Sequence, residues 1–336
     1  MKNKAILILI LLLAGSCFIS NAAFAAWTQP KGHAYNQLTW GYYETKKKFT
    51  TLKYQGVGSS RILAGTGGGV NRLETAKFTS TSFTYYGEYG IIDSLTVFTA
   101  IPAWKWSYSD DTVKYSRERG PSGVGDIDLG LRYNLFKNLF GSGVLMSVQG
   151  TVKIPEAYDY GYPLTHLSLG DGQYDGTLAL LFGRGIGKGY VVLNAGYKYR
   201  FENNEYDPFN FKPSDQIKVV IFGGYSIIPK LQLRGIIDWT KSVGNASVSQ
   251  ELIVDNYKYG GLARSQDNVL IRDSLGLEPD ALNLGISLAY NITKECWPKC
   301  LQVVLSYNED VDGIDIFESK DYALGKTVSL ALVYMF

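Results

Sequence analysis

The stretch GKTVSLALVYMF, Gly325 to Phe336, alternates residue by residue. Val328, Leu330, Leu332, Tyr334 and Phe336 interleave with Thr327, Ser329, Ala331, Val333 and Met335. A period of two puts these sets on opposite faces of a β-strand. One face is large and apolar from end to end, and the other is mostly small. An ordinary edge strand would have to leave its hydrogen-bonding groups open, so the pattern asks what this strand pairs with.

Eleven more segments of similar length repeat the pattern upstream. The first runs from about His33 to Tyr43, with Leu38, Trp40 and Tyr42 on one face. The second covers about Ala76 to Tyr89 and the third Leu95 to Ile101. GDIDLGLRYNLF sets Ile127, Leu129, Leu131, Tyr133 and Leu135 against Asp126, Asp128, Arg132 and Asn134. LMSVQGTVKI follows, then segments at about 173–182, 191–201, 215–225, 231–240, 281–292 and 301–308. With the closing stretch there are twelve, an even number. The connections at about 90–94, 137–142, 185–188, 226–230 and 293–300 are short. Those at about 44–75, 103–123, 155–172, 202–214, 243–280 and 309–324 are long. Short turns on one side and long loops on the other are the mark of a transmembrane antiparallel up-and-down β-barrel.

Bulk properties agree. The chain has 336 residues with 25 Tyr, 15 Phe, 6 Trp and 37 Gly, and no later segment approaches the ~20 apolar residues of a spanning helix. Residues 1–25 read as a secretory signal: Lys2 and Lys4, an apolar run from Ala5 to Ala14, then Ala23 and Ala25 before a cut at Ala26. AGSC, ending at Cys17, is a poorer lipoprotein alternative. The barrel is then expected over residues 26–336. Loss of Lys2 and Lys4 leaves 31 basic against 31 acidic residues, with no basic stripe, so nucleic acid is not an expected partner. Cys296 and Cys300, in CWPKC, read as a disulfide across a tight turn in an oxidising compartment.

A soluble β-sandwich also has alternating strands, but six such long loops are uncommon in compact domains. In lipid the first and last strands must pair, because open N–H and C=O groups cannot be hydrated in hydrocarbon. The closing stretch is therefore expected to seal against the segment at His33–Tyr43.

Three stretches, EYGIIDSLTVFTAIP (88–102), GVGDIDLGLRYNLF (123–136) and LGDGQYDGTLALLFGRGI (169–186), resemble the outer-membrane channel family named after the meta-pathway of phenol degradation. AWTQPKGHAYNQLTWGYYET (26–45) resembles a related, poorly characterised branch of exported barrels. The resemblance implies a barrel in the bacterial outer membrane with a transport role, and the solute in the family's name does not carry over. Phe336 resembles the terminal signal read by the barrel-assembly machinery, which the resemblance makes a partner alongside outer-membrane lipid.

Lumen-facing candidates carry both signs: Glu88, Asp126, Asp128, Arg132, Lys153, Asp175, Lys198, Arg200, Lys218, Arg234 and Asp238. They read either as a lined pore that sets charge preference or as a salt-bridge ladder stiffening a narrow bore, and mixed signs favour the ladder for most pairs. No catalytic constellation stands out. His166 and Ser168 lie two apart as in outer-membrane lipases, but the following Leu-Gly departs from that pattern and no orienting residue is placed. His33 has no companion and reads as an interfacial polar residue. GTGGG (65–69) lacks the Lys-Ser/Thr of a phosphate loop and reads as a flexible tip of the first outer loop. EDVDGID (309–315) departs from ordered Ca²⁺ spacing and reads as a solvated acidic loop. Trp104, Trp106 and Tyr108 read as an interfacial belt. No cofactor or metal is called for. The sequence thus predicts a narrow passive channel for a small-molecule solute, with a plugged surface-interaction barrel and a lipase as alternatives.

Overall fold

Alternating strands with one wholly apolar face must cover that face, and here the cover is lipid. The computed structural model describes residues 26–55, 62–72, 77–110, 118–160, 168–259, 275–293, 299–320 and 323–336. Its strands are β1 (Ala34–Gln55), β2 (Ile62–Arg72), β3 (Lys77–Ile92), β4 (Leu95–Asp110), β5 (Glu118–Gly123) and β6 (Ile127–Leu139). There follow β7 (Val144–Ile154), β8 (Asp175–Ile186), β9 (Gly189–Arg200), β10 (Phe211–Lys212), β11 (Asp215–Ile228), β12 (Leu231–Val243) and β13 (Ser247–Val248). Helix α1 (Gln250–Tyr259) precedes β14 (Ala281–Asn291), β15 (Cys300–Val311) and β16 (Ala323–Met335).

Among the described residues, twelve of these strands, all but β2, β5, β10 and β13, pair antiparallel in chain order and close through β16 and β1. The seam is long. It runs from Tyr35 opposite Met335 to Thr45 opposite Gly325, and the Ala34 and Phe336 backbones exchange hydrogen bonds of 2.8 and 3.0 Å at its end. The closing stretch is thus an internal strand, paired on both edges.

The faces fall as the alternation requires. Leu330, Leu332, Tyr334 and Phe336 are exposed on the outside, while Ala331 and Val333 are buried inside. Leu129, Leu131, Leu178, Leu193, Ile221, Ile237, Ile286 and Leu305 continue the outer band around the barrel, Leu178 with 64 % exposure. Buried Glu88, Arg132, Lys153, Asp175 and Arg200 face the bore. Polarity is inverted relative to a water-soluble sheet pair, and a closed barrel of this kind spans the bacterial outer membrane. The short turns mark its periplasmic rim.

Three sequence expectations change. First, β1 and β4 run well past Tyr43 and Ile101, because their extensions pair with β2 and β5. GTGGG therefore lies in β2 rather than at a loop tip. Second, Pro102 does not end its strand. Phe83 pairs with Trp104 and Tyr85 with Ile101, so a bulge absorbs the proline, whose carbonyl accepts from Gly125 N at 3.0 Å. Third, EDVDGID is not wholly a solvated loop. β15 continues through Val311, so Glu309 meets Lys326 outside while buried Asp310 accepts from Asn283 Nδ2 at 2.9 Å inside.

Cys300 is disulfide-bonded, and Cys296 lies outside the described residues. Trp104 packs on Phe83 with ring centroids 5.9 Å apart, and Trp106 and Tyr108 continue the same strand.

Placing a charge on the outer face tests the assignment of faces. Leu330→Arg is expected to lower stability in lipid vesicles by about 2–4 kcal/mol. Ser329→Ala, one residue away on the other face, is expected to change it by less than about 0.5 kcal/mol. Urea unfolding followed by tryptophan fluorescence measures both.

Candidate permeation site in the lumen

Antiparallel alternation carries every second residue into the bore, and the closed wall brings distant strands face to face. All the candidate residues read from the sequence project inward. They fall into three groups.

At the periplasmic end, Glu88 on β3 and Arg132 on β6 form a buried ion pair of 3.0 Å. Tyr86 donates its hydroxyl to Glu88, and Arg132 lies 5.6 Å from the Phe98 ring centroid. This pair has a second task that the sequence did not reveal. Residues 26–29 turn up into the bore ahead of β1, and the two charges hold them. Gln29 Nε2 donates to Glu88 Oε2 at 2.7 Å, and Arg132 Nη1 donates to the Trp27 carbonyl at 3.2 Å. Ser147 Oγ donates to the Ala26 carbonyl at 2.7 Å, and Gln29 N donates to Thr96 Oγ1 at 2.7 Å. Ala26 and Trp27 pack against Leu145, Ala179, Leu181, Val192, Tyr190 and Phe222. Gly183 makes the room, since a Cβ there would lie 2.6 Å from that of Ala26. The segment forms a strap along the wall. The only sequence hint of it was TQP, polar residues and a proline just before an alternating strand.

At the outer end, Lys153 on β7 is shared by three carboxylates: Asp175 at 2.8 Å, Asp171 at 2.9 Å and Asp126 at 3.5 Å. Arg200 reaches Asp171 at 3.4 Å and Asp175 at 3.7 Å, and Lys198 lies 3.9 Å from Asp175. Asp128 makes no ion pair among the described residues but stands within electrostatic reach of Lys198 and Lys153. Asp171 belongs to the connection between β7 and β8, which folds inward. Tyr158 donates to Asp126, Asp171 N donates to Asp126 Oδ2 at 3.0 Å, and Lys105 Nζ donates to the Leu169 carbonyl at 3.0 Å. Asp171, Tyr158 and Lys105 went unread in the sequence because nothing in a loop's composition says that it folds back into the bore. Burial opposes ionisation of Asp171, but Lys153 and Arg200 outweigh it and hold the carboxyl well below the usual carboxylate range. With the folded value depressed, this contact favours docking above about pH 3.9, the ordinary Asp value, and is lost as pH falls from there toward the folded value.

The third group lines the wall from β11 to β15. Lys218 and Asp238 pair at 2.9 Å. Arg234 Nε donates to Gln232 Oε1 at 2.6 Å, and its Nη2 donates to Gln302 Oε1 at 2.8 Å. Most lumen charges are thus compensated as a ladder would require. Lys218 nevertheless keeps 43 % of its side-chain surface accessible inside a closed wall, so the bore around it admits water.

His166 lies outside the described residues, and the buried Ser168 hydroxyl has no hydrogen-bond partner among them. Among the described residues, no group of three or more His, Cys, Asp or Glu side chains is arranged to hold a metal ion.

Removing the shared cation should cost more than removing the cluster. Lys153→Met leaves Asp175, only 1 % exposed, facing other carboxylates and is expected to destabilise by about 3–5 kcal/mol. Lys153→Met with Asp175→Asn is expected to recover a large part of that loss in urea unfolding. For the described residues 168–172, Asp171→Asn is expected to speed proteolytic cleavage beside Asp171 at neutral pH relative to the unaltered protein.

No protein-family model matches this chain, and no curated protein matches its sequence. Among solved structures, an outer membrane channel from Pseudomonas putida F1 is similar at a TM-score of 0.63 and 14 % identity, over 94 % of this chain and 100 % of that one. A Pseudomonas aeruginosa FadL homologue gives 0.39 at 8 % identity, over 90 % of each chain. The translocator domain of the autotransporter NalP from Neisseria meningitidis gives 0.42 at 9 %, over 92 % of this chain and 90 % of that one. The first establishes a shared barrel fold.

Proposed function

We propose that this barrel is a narrow passive channel for a small solute across the outer membrane. The observation that carries the reading is the hydrated interior: charged and hydroxyl side chains such as Lys218 stay accessible inside a wall with no open edge. Two constrictions set the bore, the strap of residues 26–29 below and the inward fold around Leu169 and Asp171 above. The polar lining selects by charge and size. The fold shared with an outer membrane channel supports this reading. Kinship with the meta-pathway channel family, on the three quoted stretches, is part of the same proposal. So are cleavage after Ala25, the Cys296–Cys300 bridge and the role of Phe336 in assembly.

The two constrictions also favour a second reading, a plugged barrel whose outer loops bind something else. Those loops have an apolar core of their own: Phe211, Ala246, Leu252 and Leu277 cluster above the bore.

Planar-bilayer recording separates the two. The unaltered protein is expected to show small unitary steps. Trp27→Gly with Gln29→Ala, which loosens the strap, is expected to raise the unitary conductance about two- to fivefold. Silence of both proteins at every voltage sinks the channel reading.

A further inference from the structure

Arg234 differs from the other lumen cations read from the sequence. Arg132, Lys153, Lys198, Arg200 and Lys218 each face a carboxylate. Arg234 faces none among the described residues. Among the described residues it donates to the neutral side-chain carbonyls of Gln232 and Gln302. Gln302 is itself pinned, its Nε2 donating to Asn291 Oδ1 at 2.6 Å, so its carbonyl is fixed toward the guanidinium. A guanidinium has five N–H donors in a rigid fork, and two acceptors leave most of the fork unused. The side chain is held in place without being neutralised.

Its surroundings are equally particular. One hydrogen-bonded row runs Tyr190, Gly224, Arg234 across β9, β11 and β12. Gly224 has no side chain because the Tyr190 ring lies over it: a Cβ there would stand 2.6 Å from the Tyr190 ring and 2.9 Å from its hydroxyl. The ring therefore leans from β9 towards Arg234, and its hydroxyl donates to nothing among the described residues. Tyr35, from the far side of the seam, is within electrostatic reach of both Arg234 and Glu88, and Glu88 is neutralised by Arg132. In the other direction the row continues through Ser287, Ser306, Ser329, Gly41 and Ser82. Ser287, next to Arg234 in this row, is small and half-buried and leaves space beside the guanidinium.

We propose that Arg234 and the Tyr190 hydroxyl form a binding site for a small organic monocarboxylate on its way through the lumen. One uncompensated guanidinium matches one negative charge, and its fork fits the two oxygens of a carboxylate. The Tyr190 and Tyr35 rings offer surface for an apolar body attached to it, and the serine row supplies passage past them. A phosphate dianion would find a single cation among neutral groups. The site rests on the channel reading for its purpose, though not for its existence.

Sodium benzoate is the probe, titrated calorimetrically into the folded full-length barrel in detergent. Binding is expected in roughly the millimolar range, weakened about tenfold in Arg234→Gln and about threefold in Tyr190→Phe. Arg234→Lys keeps the charge but loses the fork, so its affinity is expected between those of the unaltered protein and Arg234→Gln. Unchanged benzoate affinity in Arg234→Gln overturns the proposal, and chloride competing as well as benzoate overturns the carboxylate assignment. A heat-dependent gel shift checks closure of each variant. If Arg234→Gln fails to fold, Tyr190→Phe and Arg234→Lys decide, and full affinity in both overturns the site. In bilayers benzoate is expected to reduce chloride current through the unaltered channel. Arg234-dependent binding with silent bilayers would overturn the channel reading alone, whereas conductance with binding indifferent to Arg234 would overturn the site alone.

Discussion

Everything in this molecule depends on one constraint: in hydrocarbon, each backbone N–H and C=O must find a partner within the protein. The ladder between β1 and β16 meets it for the last two edges. Because those edges meet, the wall has an inside and an outside that never exchange residues. The alternation of the strands then becomes a partition of chemistry. Most large aliphatic side chains go to lipid, and charges, amides and small hydroxyls go to the bore together with some tyrosines and phenylalanines.

The partition creates a second problem, which is the stability of so many charges in a confined interior. The β6–β9 wall solves it by sharing, with Lys153, Lys198 and Arg200 set among Asp126, Asp171 and Asp175. The opposite wall carries fewer charges, and its row through Ser287, Ser306, Ser329 and Gly41 is small and neutral. The bore is therefore asymmetric: one side holds a charge network and the segments bound to it, and the other has the row of small side chains. The strap and the inward loop are both held by members of the charged wall, so the groups that compensate one another also position the two constrictions.

Much of this was legible in the residues. Twelve alternating segments and the order of short and long connections led to the barrel, and the faces of GKTVSLALVYMF fell where the period of two puts them. Legibility ended where a side chain's partner comes from a remote part of the chain. Pro102 looked like a strand end because the bulge that absorbs it is formed with β3. Thr50 to Lys53 and GTGGG looked like loop because their pairing with one another lies beyond the lipid, where no apolar face is needed. The strap went unread, since Trp27 and Gln29 have no periodicity and gain meaning only from Glu88 and Arg132.

By itself the sequence determined the architecture: strand number, handedness of faces, sidedness of the loops and the need for a seam. Those follow from local periodicity and from parity, which a linear string records in full. Only the tertiary structure decided which charges neutralise one another and which does not. Arg132 and Arg234 are alike in the sequence, each an inward arginine on an alternating strand. One meets Glu88 from a strand 44 residues away, and the other meets two glutamine carbonyls. That difference is set by which strands the closed wall brings opposite each other, and closure is a property of the whole barrel rather than of any stretch within it.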